Sequence, residues 1–204
     1  SANNTSYIFS DSLGYFFITS NTAGLNYFNL NLSMAGYKPA FRGEEHHEIF
    51  DGYINCVSQS GNGNIWLGGQ SSLIEWNPEN NTSHFVPYPD ANGNPLRGNE
   101  EVRSLYFDKT GKMWIGLNRH GVMVMDKNRK IIKRFEKGSE PGPLQSNFIN
   151  QIQQAPDGII WVATARGIVR IEPEKLKIIS QSAMPELKKL ENKNCNYIWF
   201  GKED

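Results

Sequence analysis

Three groups of side chains in this sequence are of types that do chemistry: a histidine–glutamate run, two thiols and a set of arginines beside turns. The run is "GEEHHEIF" (43–50), where His46 and His47 stand among Glu44, Glu45 and Glu48. Imidazole and carboxylate bind metals, but a metal needs its ligands to converge. Neighbouring side chains of an extended loop point apart, so no metal site is expected there. Cys56 and Cys195 lie far apart, with no CxxC or Cys/His grouping, and are expected to be free thiols. Hydrolytic and phosphate chemistry would be signalled by GxSxG, HExxH, GxxxxGK[ST] or GxGxxG, and none of these occurs. No catalytic residue and no cofactor is therefore expected. What remains is "NRHG" (118–121) and "ARG" (165–167), short turns that present Arg119, His120 and Arg166. Their planar cationic donors suit holding a ligand rather than turning one over.

Those turns recur because the chain repeats. "GNIW" ends at Trp66, "GKMW" at Trp114 and "GIIW" at Trp161; "GYFF" puts Phe17 in the same place, and "NYIW" ends at Trp199. The intervals are 49, 48, 47 and 38 residues. Twelve and nine residues before the aromatic stand Ile54 and Val57, Val102 and Leu105, Ile149 and Ile152, and finally Leu187 and Leu190. Six or seven residues after it begins "GLNYFN", "SLIEWN", "GVMVMD" or "GIVRIE".

Each apolar run is short, β-branched or aromatic, and bounded by Gly, Asn, Asp or Pro, which is the pattern of strands rather than helices. Four strands per unit follow, near 101–107, 112–118, 121–126 and 130–136 in the third copy. Gly111 closes the turn "DKTG" between the first two. The one helix candidate, "PELKKLEN" (185–192), fits the strand register better. A ring as large as tryptophan needs cover on both sides, so Trp66, Trp114, Trp161 and Trp199 are expected between neighbouring sheets. Four-stranded units at this period are β-propeller blades. The expected fold is all-β: about four and a half blades over 1–204, with repeats near 5–50, 51–98, 99–145 and 146–184 and a partial fifth at 185–204. Incomplete copies at both ends lead to the expectation of a larger ring.

Net charge is zero but unevenly placed. Residues 1–100 carry 9 acidic against 3 basic side chains, and residues 101–204 carry 12 against 18. A nucleic-acid binder would show a dominant basic face with stacking aromatics, so that class is not expected. The basic run "KNRKIIKRFEK" (127–137) falls on a fourth, outermost strand, where lysine and arginine guard an edge against pairing with another sheet. No run of eighteen apolar residues occurs, so this segment is not expected to contact a membrane.

"SLYFDKTGKMWIGLNRHGVMVMD" and "INQIQQAPDGIIWVATARGIVRIEP" resemble two-component regulator propeller repeats: an apolar strand, an acidic turn ending in glycine, "[IL]W[IV]GT", then "GL" and another apolar strand. The likeness runs along essentially the whole chain. It is weaker in the first copy, which has Phe17 for tryptophan, and in the second, which has "WLGGQSSL". The resemblance implies a seven-bladed propeller in the periplasmic sensor region of a hybrid histidine kinase. It implies an oligosaccharide ligand, further blades and sensor domains of the same chain as partners, a receptor homodimer, and no catalysis in this segment.

Two rival classes fit less well. Sialidase-like turns place Asp five before Trp, whereas Asp11 and Asp108 stand six before the aromatic and Asp157 four. A glycosidase also needs two opposed carboxylates, and no pair is singled out. The "GH…WD" signature of WD40 scaffolds is absent. For a sensor, ligand contacts are expected from the face shared by the second-to-third-strand turns and the inter-blade connections. That face offers Gln70, Arg119, His120 and Arg166 from turns, and Tyr37, Arg42, His46 and Arg97 from connections. Arginine suits a carboxylated or sulfated sugar through paired N–H donors.

Overall fold

A computed structural model of the chain describes residues 5–11, 14–20, 24–29, 34–38, 54–70, 72–88, 100–138 and 144–183. They form four antiparallel four-stranded sheets, each built from consecutive strands, in the arrangement of a β-propeller. The first blade comprises β1 (Thr5–Ser10), β2 (Tyr15–Ser20), β3 (Gly24–Asn29) and β4 (Met34–Lys38); the second, β5 (Ile54–Gln59), β6 (Ile65–Gly69), β7 (Ser72–Asn77) and β8 (Thr82–Phe85). The third holds β9 (Val102–Phe107), β10 (Met113–Leu117), β11 (Val122–Met125) and β12 (Ile131–Phe135). The fourth holds β13 (Ile149–Gln154), β14 (Ile160–Thr164), β15 (Gly167–Glu172) and β16 (Lys177–Ala183). The third-blade strands lie within one residue of their expected bounds, and the described residues contain no helix. The "PELKKLEN" segment and Trp199 lie outside the described residues.

One turn is reused to start every blade. In the third, Asp108 N–H donates to Lys112 O at 3.0 Å and Gly111 N–H to Asp108 O at 2.9 Å. Gly111 adopts φ 80°, a value that strains any residue with a Cβ. The same pair of bonds closes Ser60–Asn64 and Ala155–Ile159. This repeated hairpin fixes the aromatic on the second strand in one register. Trp66 lies opposite Ser58 and Glu75, Trp114 opposite Tyr106 and Val124, and Trp161 opposite Gln153 and Arg170.

From that register the rings of Trp66 and Trp114 face the following blade. Trp66 meets Phe107 of β9 edge-on, with centroids 5.9 Å apart. Trp114 is fully buried in a cluster with Ile149, Ile152 and Ile160. Burying such side chains contributes roughly 1.5–3 kcal/mol each, and the inter-blade layers are where this chain does it. β10 and β11 are buried at every position, because a blade covers each face. β14 and β15 instead alternate between buried and more exposed positions.

That alternation corrects one expectation. Trp161 is not buried between sheets: it is 38% exposed, against 5% for Trp66 and 0% for Trp114. It holds the equivalent place on β14, but its ring lies on the face that no described blade covers. Arg170 instead lies over the ring, 5.1 Å from its centroid.

Close approach between blades needs small residues two positions after the tryptophan. A Cβ at Gly68 would stand 2.4 Å from Val102 Cγ1, and one at Gly116 would stand 2.6 Å from Ile149 Cγ2. Further out, β12 is an edge strand, as the basic run led us to expect. One member of that run does more than guard it. Arg129 reaches back to pair with the buried Glu75 of the preceding blade and lies 5.8 Å over the Trp66 ring. Asn64 Nδ2 donates to the other Glu75 oxygen at 2.7 Å.

Candidate ligand-binding face

The turns between second and third strands lie at the same end of every sheet, because each sheet runs through its strands in the same order. The connections entering the third and fourth blades are stitched to these turns. Asn118 N–H donates to Glu101 O at 2.9 Å, and Ala165 N–H donates to Phe148 O at 3.0 Å. Across the blade boundaries, Gln70 forms a bridge with Glu101, and Gly121 N–H donates to Asn147 O at 3.0 Å. The face is thus a laced backbone frame from which side chains project.

Arg119 and Arg166 each stand five residues after their tryptophan, so they hold equivalent positions in adjacent blades, and both are exposed. The Arg166 turn is pinned locally: Arg166 N–H donates to Thr164 Oγ1 at 3.2 Å, and that hydroxyl donates to Gly167 O at 2.9 Å. The Arg119 turn is pinned by a side chain from the connection. Arg119 N–H donates to Glu100 Oε1 at 3.1 Å, and His120 Nδ1 lies 2.6 Å from Glu100 Oε2. Glu100 is only 3% exposed in its side chain, whereas His120 is 42% exposed.

Of the expected site residues, the structure gathers Gln70, Arg119, His120 and Arg166 on the turn side of these blades. Tyr37 lies on β4 opposite Asn26. Arg42, His46 and Arg97 lie outside the described residues. Among the described residues no group of three potential metal ligands occurs. Glu100 was not anticipated. Its signal was slight, a carboxylate ending the connection "GNEE" just before β9.

Two buried groups lie behind this face. The Tyr88 hydroxyl has no hydrogen-bond partner, and burial first, then the charge of Glu100, raises its pKa. Cys56 is fully enclosed, its thiol near Gly68 O and Val102 O at 3.9 and 3.7 Å, and burial pushes its pKa up as well. A thiol so held is not a nucleophile.

Comparison with known families matches residues 95–119 and 143–166 to the two-component regulator propeller. The two matched segments are two-component regulator propeller repeats. Each matched regulator repeat ends on the arginine of its turn, Arg119 or Arg166. A search of curated proteins returns no match.

Solved structures share the propeller fold. The extracellular domain of a putative hybrid two-component system from B. thetaiotaomicron aligns with TM-score 0.68 and 22% identity, over 91% of this chain and 23% of that one. A second such domain from the same organism aligns with TM-score 0.64 and 16% identity, over 80% and 21%. This chain therefore spans about a fifth of the length of those chains. Virginiamycin B lyase from Staphylococcus aureus aligns with TM-score 0.62 and 16% identity, over 89% and 56%.

Proposed function

We propose that this chain is part of an extracytoplasmic sensor propeller of a hybrid two-component system. On this reading it recognises an oligosaccharide in the periplasm and passes the signal to a histidine kinase in the same receptor, without catalysis of its own. The receptor acts as a homodimer, with further blades and sensor domains as its other partners. The observation that carries the reading is the regulator repeat itself, with an exposed arginine at the same turn position in two adjacent blades. Two guanidinium groups one blade apart on a laced frame suit the acidic substituent of a carboxylated or sulfated sugar, each through paired donors. The lyase of similar fold makes an enzyme the reading to test against.

Calorimetry of the chain with neutral and acidic oligosaccharides, followed by chromatography of the recovered sugar, tests this. Binding of an acidic oligosaccharide that is recovered intact is the expected result. Replacing Arg119 and Arg166 together by alanine should weaken that binding while shifting stability by less than about 0.5 kcal/mol, since exposed turn residues add little to it. A cleaved sugar would overturn the reading in favour of an enzyme. Unchanged affinity in the double variant would move the site off this face.

A further inference from the structure

Both binding candidates on the third blade, Arg119 and His120, are held by one group that does not face solvent. Glu100 comes from the connection, and its carboxylate lies beneath the β10–β11 turn. One oxygen accepts the Arg119 amide, and the other meets His120 Nδ1. An ionised carboxylate can only accept, so the hydrogen it takes from His120 must be carried on Nδ1. In a neutral imidazole the remaining nitrogen, Nε2, then bears the lone pair. Nε2 lies across the ring from Glu100, and the ring is 42% exposed.

A second observation marks the same place. The Tyr88 hydroxyl, buried and without a partner, is close enough to Glu100 to feel its charge. Both oxygens of the carboxylate are held by Arg119 and His120, and Tyr88 makes no hydrogen bond to them.

We propose that Glu100 is a positioning residue of the face, fixing His120 as the Nδ1–H tautomer so that its Nε2 accepts a hydrogen bond from a sugar hydroxyl beside the arginine-held acidic group. The part about sugar rests on the sensor reading above; the part about the tautomer does not. The arrangement gives His120 and Arg119 complementary tasks. The arginine donates to an anion, and the histidine accepts from a neighbouring hydroxyl. A ligand with both groups on adjacent ring positions satisfies the pair, and a simple anion satisfies only half.

The test reads the tautomer directly, by long-range 1H–15N NMR of the full chain at alkaline pH, where an imidazole is uncharged. With 4 histidines in the chain, loss of one pattern in His120→Gln assigns the signal. The wild type should show hydrogen on Nδ1. In Glu100→Gln the carboxamide oxygen can still accept from Arg119 while its NH2 donates to Nδ1, so the hydrogen should move to Nε2. Hydrogen on Nε2 in the wild type, read without any substitution, would overturn the proposal, as would the same tautomer in both proteins. Calorimetry with an oligogalacturonate then addresses the ligand: Glu100→Gln should weaken it about tenfold, the loss of one hydrogen bond. Tautomers as expected with no oligogalacturonate binding by the wild type would support the role of Glu100 while overturning the acidic-sugar reading.

Discussion

The indole Nε1 of Trp114 donates to Asp108 Oδ2 at 2.9 Å, across the six residues that separate them. The other Asp108 oxygen accepts from Thr110 N, Thr110 Oγ1 and Lys112 N at 2.8, 2.6 and 3.0 Å. One carboxylate thus ties the turn and the inter-blade ring into a single unit. The preceding blade has Ser60 at the corresponding position. Its hydroxyl bonds within the turn, to Asn64 O at 2.9 Å and Asn62 Oδ1 at 2.5 Å, and Trp66 Nε1 is left buried without a partner.

Ser60→Asp should therefore stabilise the protein. The turn is already built on the same backbone bonds, so the new carboxylate has a place prepared for it. Satisfying a buried indole N–H with a charged acceptor is worth about 1.5–3 kcal/mol, less the cost of burying the charge. A gain of about 1 kcal/mol in denaturant unfolding is the expected net result. A loss would show that Asn62 and Asn64 hold the turn in a form the carboxylate cannot enter.

Trp114→Ala and Trp161→Ala should differ sharply despite their shared repeat position. Trp114 is fully buried, and truncating such a ring costs about 3–5 kcal/mol. Trp161 is 38% exposed, with Arg170 lying over its ring, so about 1 kcal/mol is expected. Equal losses in urea melts would mean that the Trp161 ring is covered as fully as the other.

Acid should weaken the Asp108 unit in a defined window. Burial raises the pKa of Asp108, but hydrogen bonds from Thr110, Trp114 and Lys112 outweigh it and hold the folded value below 3.8. The stabilisation is thus complete above the unfolded pKa, near 4, and is lost as pH falls through the lower folded value. Asp108→Asn cannot accept in the same way and should melt lower at neutral pH by the equivalent of about 2 kcal/mol. The gap between wild type and variant should narrow below about pH 4. A gap unchanged down to pH 2 would refute the assignment.

The sequence carried the fold because blade structure is local: the turn, the aromatic and the apolar pair before it recur at fixed offsets, and register follows from them. It did not carry the exposure of Trp161, which depends on whether a neighbour covers that face and not on the residues around it. Nor did it carry Glu100, whose partner His120 lies 20 residues away across a connection with no periodic signal. Arg129 read as an ordinary edge charge for the same reason. Its partner Glu75 is 54 residues earlier, and only the stacking of blades brings them together. Arg119 and Arg166 were accessible to sequence reasoning because the repeat register places them.

The residue two positions beyond each aromatic is Thr19, Gly68, Gly116 or Ala163. At Gly68 and Gly116 there is no room even for a methyl group against the first strand of the next blade. At these two boundaries the wedge therefore carries a template for the inner edge of its successor, cut to Val102 or to Ile149. Blades of such a molecule are not freely interchangeable. A gene duplication or a transplant that moved one blade would have to move the matching first strand of the following one, so the natural unit of exchange straddles the boundary between two blades.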